Sequence, residues 1–180
     1  MINKSLTYGI LAGVIVTVYT LLLYSLGMEY YASWWLAILA FFLVVFLVFF
    51  FGYKVKRENK DGPFDFKKAF ISLLIIGLTA SFLTVIWNVL LYNVIDKNLG
   101  QELTEHIIEQ TTEMMEKFGA PESAQEETLT EMASMPEQFE TGALFLGWIK
   151  GSIMYIILAA IGGLIIREKV QSKDGALDAL

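Results

Sequence analysis

Residues 69–95 read AFISLLIIGLTASFLTVIWNVLLYNVI, 27 residues without one Asp, Glu, Lys or Arg. Wound as a helix at ~1.5 Å per residue, the stretch is ~40 Å long, more than the ~30 Å hydrocarbon core of a bilayer. Two charge-free stretches of 22 residues each, 6–27 and 32–53, precede it. A fourth apolar stretch, 141–166, carries the single charge Lys150. Four helices apolar on every side need either lipid around them or a shell of amphipathic partners. The only polar segment of any length is 97–140, too little to wrap them. The expected fold is all-α, an integral membrane four-helix bundle forming one membrane domain over 1–180. Its transmembrane helices fall at about 6–27, 32–53, 69–95 and 141–166, with an acidic amphipathic helical loop, 97–140, between the third and fourth.

Composition agrees. Hydrophobic residues make up 56% of the 180 and charged residues 18%, against roughly 45–50% and about 25% in soluble domains. Cysteine is absent, which excludes a disulfide framework, a thiolate nucleophile and a Cys-based zinc site. The first apolar run exceeds the ~7–15 residues of a signal-peptide core and no A-x-A site follows it, so it is expected to remain as a span.

Four spans put both termini and the 54–68 loop on one side of the membrane. That side holds Lys4, Lys54, Lys56, Arg57, Lys60, Lys67, Lys68, Arg167, Lys169 and Lys173; the other holds only Lys97 and Lys117. The bias of cations toward the cytoplasm predicts a multi-pass protein of the cytoplasmic (inner) membrane with both termini inside. Thirteen of the nineteen carboxylates, Glu29, Asp96 and eleven Glu of the 102–140 segment, then face outward.

The first outer loop, around 28–31, is so short that helices 1 and 2 must be antiparallel neighbours. Trp34 and Trp35 open helix 2 where an aromatic belt belongs. In the 54–68 loop, Asp61-Gly62-Pro63 breaks any helix, and Phe64 and Phe66 are expected in the interface. The 97–140 loop reads as two amphipathic helices. The first carries Leu103, Ile107, Met114 and Phe118 at helical spacing, with Gly119 as its stop and Pro121 in the first turn of the next. The second carries Leu129, Met132 and Met135 and ends at Pro136. Such a pair either buries its stripes in a hairpin or lies on the membrane. The exits of helices 2 and 4 share the pattern Gly-x4-Arg-Glu followed by Lys-Asp-Gly (Gly52, Arg57-Glu58, Lys60-Asp61-Gly62; Gly162, Arg167-Glu168, Lys173-Asp174-Gly175). Chance together with the basic-exit requirement explains this better than a duplicated hairpin.

Two stretches carry a family resemblance: Gly62-Pro-Phe-Asp-Phe66-Lys-Lys-Ala69-Phe70 at the entry to helix 3, and Leu91-Tyr92-Asn93-Val94-Ile95-Asp96 at its exit. With the arrangement of spans, they make the chain resemble a family of small bacterial four-helix membrane proteins catalogued as domain of unknown function 4199. The family often has Pro after that Asp, where this chain has Lys97. The resemblance implies topology and location and no activity.

Few residues suggest chemistry. Lys150 is the one charge inside a span, and a cation at the bilayer centre costs ~2.5–3.5 kcal/mol on insertion scales. Its amine either snorkels to the headgroups, with Trp148 marking the interface, or joins a polar layer. Counting depth from the helix ends puts Asn88 and Thr20 level with it, and Tyr24 and Asn93 nearer the surface. Gly9-x3-Gly13, Gly147-x3-Gly151 and Ala159-x3-Gly163 are small-residue motifs for helix packing, within the chain or at an oligomer seam. The lone His106 shares a helix face with Glu102 and Glu109, but a transition metal usually needs more than one nitrogen or sulfur ligand. No phosphate loop, H-E-x-x-H, G-x-S-x-G or in-span carboxylate pair is present. No cofactor, catalytic residue, metal or nucleic-acid partner is expected. The expected role is a non-enzymatic structural or interaction component in contact with the lipid bilayer, another membrane protein or a second copy. The alternative is a small transporter or channel subunit built on the Lys150 layer.

Overall fold

The computed structural model describes residues 1–168, so Lys169, Lys173 and the second Lys-Asp-Gly lie outside the described residues. Helices α1 (Ile2–Leu26), α3 (Trp34–Arg57), α4 (Phe66–Leu90, extended to Ile95 by one π-helical turn) and α7 (Thr141–Ile166) are each long and apolar enough to cross a membrane. No strand occurs among the described residues. In hydrocarbon every backbone N–H and C=O must be paired within the segment, which a helix achieves alone. Outward side chains agree: Phe42, Phe46, Ile153 and Ile165 are each more than 60% exposed. Exposed apolar surface of this extent, on helices of membrane length, is compatible with a membrane protein.

The α4 helix is the hub. It packs along α1 and along α7, and more briefly against α3, whereas α1 and α7 barely meet. Helices α1 and α4 run in the same direction. A methyl added at Gly9 would lie 2.6 Å from Thr79 Cβ and 3.1 Å from the Ile76 carbonyl oxygen. At Gly13 it would lie 3.0 Å from the Ala80 oxygen. The two backbones are therefore close enough for packing and Cα–H···O contact to replace the hydrophobic effect, which is missing between helices in lipid. Between α4 and α7, Gly77 receives the Tyr155 ring and Gly163 the Phe66 ring.

The end bearing the termini (the basic end) is tied by polar contacts. Asp65 caps α4 by accepting from the Lys68 N–H at 2.9 Å. Lys56 donates to the terminal carbonyl of α7, Ile166 O, at 2.7 Å. The Glu168 N–H donates to Phe64 O, and the Phe64 N–H to the Glu168 carboxylate. Phe64 is thereby drawn into the core with 1% exposure, not laid in the interface as expected from sequence; Phe66 remains exposed. The Tyr8 hydroxyl and then the Lys4 ammonium hold the Glu58 carboxyl below the usual carboxylate range. Gly52 and Gly162, the matching glycines of the two similar exits, both pack against the side chain of Leu73.

At the opposite, acidic end, α2 (Met28–Tyr31) is a single turn. The 97–140 segment forms α5 (Leu99–Lys117), α6 (Glu122–Met132) and a 3-10 turn, Met135–Phe139. Gly119 stops α5 with φ 69°, but Pro121 is the N-cap of α6 and not in its first turn. Pro136 is the second residue of the 3-10 turn instead of ending α6, because α6 has already stopped at Met132. No residue of α6 is buried.

Candidate functional site

The Lys150 layer does not assemble by hydrogen bonding. Lys150 is exposed, and no partner for its amine occurs among the described residues. Thr20 donates to Thr17 O of its own helix at 2.9 Å, and half-buried Asn88 makes no side-chain hydrogen bond among the described residues. The cause is azimuth. Trp148 faces α4, donating from Nε1 to Ser81 Oγ at 3.0 Å. It lies inside the helix contact and does not mark a headgroup. Lys150, two residues on, points about 200° away around the helix.

The other two residues of that layer, Tyr24 and Asn93, join a different constellation at the acidic end. Tyr24 donates to Asp96 Oδ2 at 3.0 Å. Asn93 donates from Nδ2 to Phe139 O at 3.0 Å, tying α4 to the entry of α7. The π-helical turn Leu91–Ile95, closed by the Asp96 N–H bonding back to Leu91 O, carries two successive buried residues, Leu91 and Tyr92. The Tyr92 ring stacks on Phe139 at 4.6 Å, and its hydroxyl meets the Tyr31 hydroxyl at 2.9 Å. Burial pushes the Tyr31 phenol upward, the Tyr92 bond opposing it, so Tyr31 stays neutral across the physiological range. Leu99 and Leu103 of α5 insert into this cluster with 2% and 7% exposure. Gly100 lets Phe139 approach: a methyl there would lie 3.1 Å from its Cβ.

Beside this cluster lies a cavity of about 310 Å³ bounded by Tyr24, Tyr31, Gly27, Met28, Asp96 and Glu102. Gly27 turns the chain with φ 111°, a conformation other residues rarely adopt. The phenols and Asp96 of this cavity are engaged: Tyr24 with Asp96, Asp96 also with the Asn98 N–H, and Tyr31 with the Tyr92 hydroxyl. Chemically the constellation is a joint that fixes α5 to the ends of α1, α2 and α4. A second cavity of about 230 Å³ lies between the long apolar helices, among Val16, Ala80, Thr84, Trp148 and Tyr155. It is mainly apolar.

Among the packing candidates, Gly9 and Gly13 sit at the α1–α4 contact, and Ala159 and Gly163 sit where α7 meets α4. Gly147 and Gly151 have no atom within 4 Å of an added Cβ. His106 contacts Gln110 at 3.0 Å, and no three metal-ligating side chains converge among the described residues. Sequence reasoning missed Tyr31, Tyr92, Asp96 and Phe139. The clue was the aromatic and polar density of 24–31 and 92–96, at the ends of two long apolar stretches.

The profile of the family described as "Protein of unknown function (DUF4199)" matches residues 7–168. No curated protein and no solved structure matches the chain.

Proposed function

The chain belongs to the DUF4199 family, and from that premise we propose that it is a non-enzymatic structural or interaction component of the bacterial cytoplasmic membrane. Both termini lie in the cytoplasm, and the acidic segment is presented outside. The observation that supports this best is the insertion of Leu99 and Leu103 among Leu91, Tyr92 and the flanking aromatics. It turns the first half of α5 into an outward-facing bracket whose carboxylates are carried at a set position. A bracket of this kind suits recognition of another membrane or envelope component of basic character. The transporter alternative needs a polar route past Lys150, and the Lys150 amine has no polar partner among the described residues.

The test places a photoreactive amino acid at exposed Ser123 or Glu127 of α6, and for comparison at exposed Ile153. In native membranes the first two positions are expected to give a discrete protein adduct and Ile153 only lipid. Absence of any adduct, combined with solute flux in proteoliposomes that Lys150→Leu abolishes, would move the transporter reading ahead.

A further inference from the structure

The far end of α5 is unlike its beginning. Leu99 and Leu103 are buried, whereas Met114 is 53% and Phe118 83% exposed. These two side chains share a cavity of about 490 Å³ with Trp34 and Trp35 at the start of α3, themselves 66% and 54% exposed. Four large apolar side chains facing outward around one hollow are not explained by packing within the chain.

Their level supplies the explanation. Trp34 and Trp35 are the first residues of a helix of membrane length, so they lie where hydrocarbon gives way to headgroups, the preferred depth of indole rings. Because Met114 and Phe118 border the same cavity, the last two turns of α5 lie at that depth too. The rim carries one carboxylate and one ammonium, Glu113 and Lys117, 3.6 Å apart and both exposed. That is the charge complement of a zwitterionic headgroup, which bears one phosphate and one ammonium.

We propose that the hollow between Trp34, Trp35, Met114 and Phe118 is a phospholipid site. It holds one zwitterionic lipid of the adjacent leaflet, with Phe118 inserted among the headgroup-proximal acyl methylenes and the Glu113–Lys117 pair opened onto the headgroup. The lipid thereby fastens the second half of α5, as the aromatic cluster fastens the first. The inference does not depend on which side of the membrane the acidic end occupies, nor on the interaction role.

The test uses the full chain in nanodiscs of phosphatidylethanolamine or phosphatidylcholine, with hydrogen exchange read at 110–118. The parent is expected to be protected there. Phe118→Ser should accelerate exchange in this segment about tenfold, the change expected when one aromatic side chain loses an apolar environment, with 99–103 unaffected. A nitroxide attached to the thiol of Phe118→Cys should be accessible to oxygen more than to a water-soluble nickel reagent, the reverse of a label in Ser123→Cys. Equal exchange in parent and Phe118→Ser, or water-like accessibility at 118, would overturn the proposal. Protection that appears only as the protein-to-lipid ratio rises would overturn it in favour of a second copy as the occupant.

Discussion

Gly9 and Gly147 are the same residue type in the same kind of helix, and they differ in what lies opposite. A methyl at Gly9 meets Thr79 Cβ at 2.6 Å and a backbone oxygen at 3.1 Å, while a methyl at Gly147 meets nothing within 4 Å. Since a backbone carbonyl cannot rotate aside, Gly9→Ala must push α1 from α4 and is expected to cost about 1–3 kcal/mol, the usual range for overpacking. Gly147→Ala should be neutral or slightly stabilising through helix propensity. Thermal unfolding in detergent measures both, and equal effects would contradict the α1–α4 contact. Small-residue motifs were legible at this scale as a type, but their partners were not. Spacing alone gives Gly9-x3-Gly13 and Gly147-x3-Gly151 equal standing, and only the neighbouring helix separates them. Depth counting failed at Lys150 for the same reason: it fixes height along a helix and leaves direction around it open.

Among the elements, α5 is the most divided. Its first turns are anchored among Leu91, Tyr92 and Phe139, and α6 has no buried residue. Opening of α6 therefore exposes little apolar surface, and its amides should exchange near the rate of an isolated helix, which at 11 residues is marginal. Residues 101–106 should exchange slowly. Leu103→Ala, which removes a buried side chain and leaves a cavity, is expected to cost about 2–5 kcal/mol locally and to release the first turns of α5. Slow exchange in α6, or no change in α5 on Leu103→Ala, would refute this division. The spans were readable because uniform apolarity over a membrane thickness has one physical solution. The docking of α5 was not, since an amphipathic stripe says that a face is covered and not by what. Phe64 illustrates the same gap: an apolar residue before a helix reads as interfacial until the Glu168 clamp that pulls it inward is seen.

At the scale of the whole molecule, the charge asymmetry predicts sidedness. Ser123 on α6 and Asp61 in the loop before α4 are both exposed and lie at opposite ends. In intact cells, Ser123→Cys should react with an impermeant thiol reagent and Asp61→Cys only after the membrane is opened. Labelling of Asp61→Cys alone would reverse the orientation. The hub position of α4 has a further consequence, in time. Helix α1 packs mainly on α4 and less on α3, yet α3 is synthesised before it. When the first hairpin enters the membrane, the Gly9 and Gly13 face is still without its partner. The ~40 residues from the end of α3 to the end of α4 take about 2–8 s to synthesise at ~5–20 residues per second. Through that interval the Gly9 and Gly13 face of α1 lacks the α4 atoms it packs on in the finished fold. Order of synthesis thus makes the α1–α4 contact the late one, although it is the more extensive of the two that α1 makes with α3 and α4.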